Sequence, residues 1–377
     1  VKEKPSLETT RAENDARWSG RLDEVRAGEL LTALDPFAKA YLGLFLAIDR
    51  TLSPERRVQE IAGPELAQAA LQGMAATVRR GGLPTPAEIG AARIRREELP
   101  ESYVVLAGAN MIAAASPDEL LQLPADTLAA ILCLHYANAS EHDAPWVSRL
   151  VHEHQPVAAP ALRDFWLELV RGDQDFLPGF EQVLKEADLN RVLAETVVPL
   201  LREWNRCTDA VLKDLLHAAM CCADHYELLE VVEDHLRSEP VTRVRRRVYW
   251  LAAAFLMEPQ KYGKDLLDII GRTREKVMRL LDFAYPMLQR GFVRLPPMEL
   301  AHLIRIIAPV IRPHQDSRDR DDDNMPKVLW LIDTLGHDRN TEAADAIEWL
   351  QGVRVMGVYE DALVQAANAQ RETSGHA

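Results

Sequence analysis

The stretch SEPVTRVRRRVYWLAAAFLMEPQKY, residues 238–262, gathers Arg243, Arg245, Arg246 and Arg247 in a chain that is otherwise acidic. Val241, Val244, Val248, Leu251 and Phe255 recur at steps of three and four, which places them on one stripe of a helix. Ser238 or Thr242 is suited to cap its start. Glu258-Pro259 ends it, because the residue before a proline is pushed out of helical geometry. With the valine stripe turned inward, a step of about 100 degrees per residue brings Arg243, Arg246 and Trp250 together on the opposite face. With Arg247 they form a candidate partner-binding set, since arginine and tryptophan are enriched at interaction hot spots and arginine also reads phosphate. The competing reading pairs the arginines with acids of the next helix and packs Trp250 between helices. It carries more weight, because a neighbour often covers the outer face of a helix in a stacked array.

The same apolar stepping runs through 30–48, 65–78, 125–136, 161–170, 189–204, 210–223, 225–236, 276–288, 297–311 and 325–335, and convincing alternating strands are missing. The expected class is all-α. Connections are short and marked by Gly81-Gly82, Leu83-Pro84, Gly172-Asp173, Pro178-Gly179, Gly271 and Gly291, which stop helices and turn neighbours antiparallel. Helix pairs beginning near 208, 243 and 274 are about 30–35 residues apart, the spacing of stacked helical hairpins. The repeat is irregular and lacks tetratricopeptide and ankyrin signatures, so the expected fold is an irregular α-solenoid, HEAT- or TPR-like but unclassified. Proline and glycine punctuation at 80–100 and again around Pro156 and Pro160 suggests an N-terminal helical lobe, 1–155, and a helical-repeat solenoid, 156–377.

At 377 residues and 47% hydrophobic, the chain exceeds what one compact core usually holds, which agrees with two parts. A formal charge of −14, from 44 basic and 58 acidic residues, opposes general affinity for nucleic acid. The four cysteines form no C-x-x-C and fit buried thiols of a reducing compartment, so a cytoplasmic location is expected. No apolar run approaches the roughly 20 residues that cross a bilayer, and no signal peptide is visible. Because the chain opens on Val1 and closes on RETSGHA after a helix, it is expected to be a piece of a longer protein.

The enzyme signatures sought are absent. There is no G-x-x-x-x-G-K-[ST], no G-x-G-x-x-G and no G-x-S-x-G, so neither ATP binding nor nucleophilic hydrolysis is expected. His135, His142, Asp143, His152 and His154 lie within HYANASEHDAPWVSRLVHEH, residues 135–154, and could hold zinc if the fold gathered them. Against this, His152 and His154 stand two apart and face different sides of a helix. Cys221, Cys222, Asp224 and His225 make a second group, read as core thiols before a catalytic pair. HQDSRDRDDDN, residues 314–324, invites calcium. An EF-hand loop from Asp319 would need Gly and Glu where Asn324 and Trp330 stand, which leaves a charged surface loop.

RVRRRVYWLAAAFLMEPQKY (243–262), AHLIRIIAPVIRP (301–313) and TEAADAIEWL (341–350) resemble the helical region of large bacterial NACHT-type NTPases. These are signal-transduction ATPases of antiviral defence. The resemblance extends to AYLGL (40–44), LPTPAEI (83–89) and AQRE (369–372). It implies a sensor or scaffold region whose nucleotide-binding module lies elsewhere in a longer chain, and it transfers no catalytic residue. The expectation is therefore a non-enzymatic α-helical module without cofactor or metal. Its partner would be a protein, either other modules of the same chain or a defence complex, with nucleic acid unlikely and no membrane. The alternatives are a metal-dependent hydrolase or nuclease using His135 to His154, and nucleic-acid binding through the strip from Arg243 to Trp250.

Overall fold

Three helices in the first third of the chain begin on the same local grammar: Ser53-Pro54, Thr85-Pro86 and Ser116-Pro117. Each hydroxyl accepts a backbone N–H of the first turn, from Arg56, Glu88 and Glu119 respectively. Each proline stands where a helix needs no donor. Thr85 and Glu88 complete a reciprocal capping box. The computed structural model describes residues 6–138, 144–185, 190–204, 208–238, 244–271, 273–311 and 324–374. Among them the protein is all-helical, with no strand.

The chain divides into two compact units, Val1–Val211 and Leu212–Ala377. The first contains α1 (Leu7–Trp18), α2 (Leu22–Arg26), α3 (Leu31–Tyr41), α4 (Pro54–Ile61), α5 (Pro64–Arg80), α6 (Pro86–Arg95) and α7 (Ser102–Ala115). It continues with α8 (Pro117–Leu121), α9 (Ala125–Ala137), α10 (Trp146–Glu153), α11 (Gln155–Arg171), α12 (Phe180–Lys185) and α13 (Asn190–Glu203). The division between units falls within α14 (Asp209–Cys222). The second unit continues with α15 (His225–Ser238), α16 (Val244–Met257), α17 (Pro259–Ile270), α18 (Arg274–Gln289), α19 (Pro297–Ile307), α20 (Met325–Gly336), α21 (Glu342–Gln351) and α22 (Glu360–Ser374).

A boundary near 155 is thus not where the structure divides. Pro156 lies in the first turn of α11 and Pro160 inside the same helix. Proline in the first turn removes a donor that has no helical partner anyway, so Pro156 opens a helix rather than marking a linker. α11 packs on α6, α9 and α13, all within the first unit. Its contact with α6 reaches back past four intervening helices, so neighbour-to-neighbour stacking does not describe this unit. In the second unit the substantial contacts run from each helix to the next or the next but one, such as α16 with α15, α17 and α18.

In the first unit α3 packs on α4 and α7, and α5 packs on α2 and α7. Phe37, Ala38, Val58, Ile61, Met74, Val104 and Ala107 form part of one buried cluster there. α1 ties down the end of α4: Asn14 Nδ2 donates to the Ile61 carbonyl at 2.8 Å, and Asp15 Oδ1 accepts from the Gly63 amide at 2.7 Å. These bonds satisfy backbone groups that a helix end leaves open. They also fix the helix that carries Arg57.

Candidate functional site

Of the two readings the sequence offers for α16, a surface strip and a covered face, the strip does not hold together. Arg243 lies outside the described residues. Trp250 is 0% exposed, so it belongs to the interior and not to a surface strip. Its indole stacks on the His235 ring with centroids 4.3 Å apart and planes at 8°. Val248 through Leu256 are all buried, so this part of α16 is covered around its whole circumference and a one-sided helix is the wrong picture for it. Arg247 turns back and donates from Nη1 to the Leu236 carbonyl at 2.8 Å, serving one of the open carbonyls at the end of α15. Arg246 is half-buried. Arg245 reaches solvent and pairs with Glu275 at 2.9 Å.

The other groups marked in the sequence also disperse. His135 is buried and meets Tyr136 and Trp146 edge-on, at 5.3 and 5.7 Å. His142 and Asp143 lie outside the described residues, His152 is exposed and His154 half-buried. Among the described residues no group of three or more His, Cys, Asp or Glu could hold a metal ion. The Cys222 thiol donates to the Ala218 carbonyl, a helix turn away. Burial pushes the Cys221 thiol up to about 11 and the Cys222 thiol to about 12, the opposite of what a nucleophile needs. Asp224 caps α15, accepting from the amides of Tyr226 and Glu227. Residues 312–323 of the Asp-rich run lie outside the described residues, and Asn324 is buried.

What the structure does assemble is a cavity of about 630 Å³ in the first unit, within the range of about 300–1,000 Å³ usual for small-molecule sites. Tyr41 and Leu42 enter from the end of α3, Pro54 and Arg57 from α4, and Asn110, Ala113 and Ala114 from α7. Pro117 and Leu121 of α8 line it, as do Pro145, Trp146 and Arg149 at the start of α10. Trp146 is held on two sides. Its indole N–H donates to Asn110 Oδ1 at 2.6 Å, and His135 supports the ring. Arg149 is already compensated, bonded to Asp118 at 2.7 Å and Glu153 at 2.6 Å.

Arg57 is different. It is half-buried, its Nε is enclosed without a partner, and among the described residues its side chain makes no hydrogen bond or ion pair. Its guanidinium occupies the place where a side chain on Gly43 would stand, and Gly43 has a φ of +79° that favours glycine in any case. Tyr41 is only 6% exposed, and its hydroxyl has no hydrogen-bond partner among the described residues. Burial first, and then Glu55, push the phenol up to about 12, with Arg57 acting the other way. The phenol is therefore a donor at neutral pH.

Sequence reasoning missed this site, although a trace of it was available. Arg57 stands four residues before the buried Ile61 and next to the buried Val58, on the inner flank of α4 where a cation is unusual. AYLGL was noted for a resemblance and not for the turn that brings Tyr41 and Gly43 to Arg57. Fold and cavity together define the class: an all-α protein with a preformed cationic and aromatic pocket in its first unit. Comparison with family models, with curated proteins and with solved structures finds no match for this chain. Among the described residues no helix is long and apolar enough to cross a membrane.

Proposed function

We propose that the chain is a non-catalytic α-helical recognition module that holds a ligand in the first-unit pocket and works through a protein partner. One observation carries this reading. The cavity offers donors, an indole and apolar walls, but its lining includes no carboxylate, imidazole or thiol, and its phenol sits at about 12. General acid–base or nucleophilic work at neutral pH needs a group poised near that pH, whereas binding needs only complementary contacts. The hydrolase alternative has less support, because His135 is occupied as a packing partner of Trp146. Nucleic-acid binding through α16 has less support because Trp250 is buried.

The resemblance of 243–262, 301–313 and 341–350 to NACHT-type helical regions supports placing such a module in a larger bacterial defence assembly as its sensing or regulatory part. The partner would then be another module of the same assembly. The test offers the purified chain ATP, an aryl phosphate and an aryl ester, and separately maps backbone hydrogen exchange with the low-molecular-weight fraction of a cell extract. Protection of α3, α4, α7 and α10 without turnover is expected. Turnover that disappears in Tyr41→Phe or Arg57→Ala overturns the reading.

A further inference from the structure

We infer that the pocket of the first unit is a site for a small organic acid, one carboxylate on an apolar body, whose charge is met by Arg57 and Tyr41. The inference rests on the recognition reading above and specifies what is recognised.

The pairing of the cations sets the class of the ligand. Of the two guanidiniums lining the cavity, Arg149 is already held by two carboxylates, Asp118 and Glu153, while Arg57 has no acidic partner among the described residues. A buried guanidinium nitrogen without an acceptor is costly to keep, and a carboxylate with its two acceptor oxygens is the group that matches a guanidinium fork. The Tyr41 hydroxyl, without a hydrogen-bond partner among the described residues, supplies a second bond to the same anion. α10 adds the positive end of its dipole, since it begins at Trp146 without a side-chain cap. One unpaired guanidinium, with the Asp118 and Glu153 carboxylates at the neighbouring one and no glycine-rich loop, suits a single negative charge better than a di- or triphosphate.

The walls set the body of the ligand. Beyond Tyr41 and Arg57, the polar side chains are Asn110, whose Oδ1 accepts from Trp146, and Arg149, paired with its two acids. Pro54, Pro117 and Pro145 have no N–H to offer, and Leu42, Ala113, Ala114 and Leu121 present apolar side chains. A polypeptide segment would bring its own amides and carbonyls into a cavity walled mainly by Leu, Ala, Pro and Trp side chains, which is unfavourable. An alkyl or aryl chain lying against Trp146, Leu42 and Leu121 brings none.

The experiment is calorimetric titration of the full chain with octanoate and 4-phenylbutyrate, against octanamide, octylamine and a dipeptide with an apolar C-terminal residue. The two acids are expected to bind about tenfold or more tightly than the amide, the loss typical of removing a charge-assisted bond. The amine and the dipeptide should bind more weakly still. Arg57→Ala should remove most of the preference of acid over amide, Arg57→Lys should restore part of it, and Tyr41→Phe should weaken the acids alone. Thermal melts of each variant separate lost binding from lost folding, and Arg245→Glu, on the other unit, should titrate like the parent. Equal binding of acid and amide, tighter binding of the dipeptide, or no binding of any acid at millimolar concentration overturns the assignment. The first two outcomes would leave a recognition module standing with a different ligand, whereas conversion of a bound compound would remove the recognition reading itself.

Discussion

At the scale of single residues, the pocket depends on Gly43 as much as on the groups that line it. Its φ of +79° disfavours any L side chain, and a Cβ there would collide with the Arg57 guanidinium. Gly43→Ala is therefore expected to cost about 1–3 kcal/mol in urea unfolding, from a strained backbone and a displaced arginine. Acid binding should weaken together with stability. A variant as stable as the parent would mean that the turn relaxes without moving Arg57. None of this is readable from AYLGL alone. A glycine after an apolar run announces a turn, but the residue that will occupy the space beside it comes from another helix.

At the scale of elements, α16 shows why a periodicity argument succeeds at one level and fails at the next. Its stepping correctly marks a helix with Val248, Leu251 and Phe255 inside. Of the two readings of its other face, the covered one holds for Trp250, which is enclosed beside the buried Ala252, Ala253 and Ala254. α7 repeats the lesson: Val104 through Ala109 are all buried. A helix covered all round shows no polar stripe, and it escapes a search for one-sided pattern. Two substitutions in α16 separate its halves. Val248→Asp should destabilise the protein by about 3 kcal/mol or more, as a carboxylate forced into an apolar site does. Arg245→Glu should cost less than about 1 kcal/mol, because the Arg245–Glu275 pair is largely in solvent, at 67% and 52% exposure. Chemical unfolding of both variants checks the contrast, and a large loss in Arg245→Glu would contradict the exposed placement.

At the scale of the whole molecule, the two units invite separate probes, and His217 provides one for the second. Its ring stacks on Phe283 with centroids 4.6 Å apart, and its Nε2–H donates to the Phe283 carbonyl at 3.0 Å. Burial lowers its pKa to about 4; the bond to Phe283 opposes the shift, and Lys213 and Arg290 reinforce it. Because the folded value lies below the ordinary 6.5, the unfolded chain binds the proton more readily. Stability should hold above pH 6.5 and fall as pH drops towards 4, by on the order of 3 kcal/mol at most. His217→Gln keeps a neutral donor and should flatten that part of the stability–pH curve. An unchanged slope would show that other groups carry the acid sensitivity.

The sequence by itself determined the all-α class, because helical stepping and the absence of alternation are local properties of consecutive residues. It also disfavoured a metal site at His152 and His154 and a calcium loop at 319–330, since ligand spacing is local too. Tertiary structure alone decided where the units divide, which of the two readings of Trp250 holds, and that Tyr41, Arg57, Trp146 and Arg149 line one cavity. Those residues stand on three helices spread over more than a hundred positions of sequence. Which faces meet depends on the summed packing of every helix between them, and no window of the sequence contains that sum.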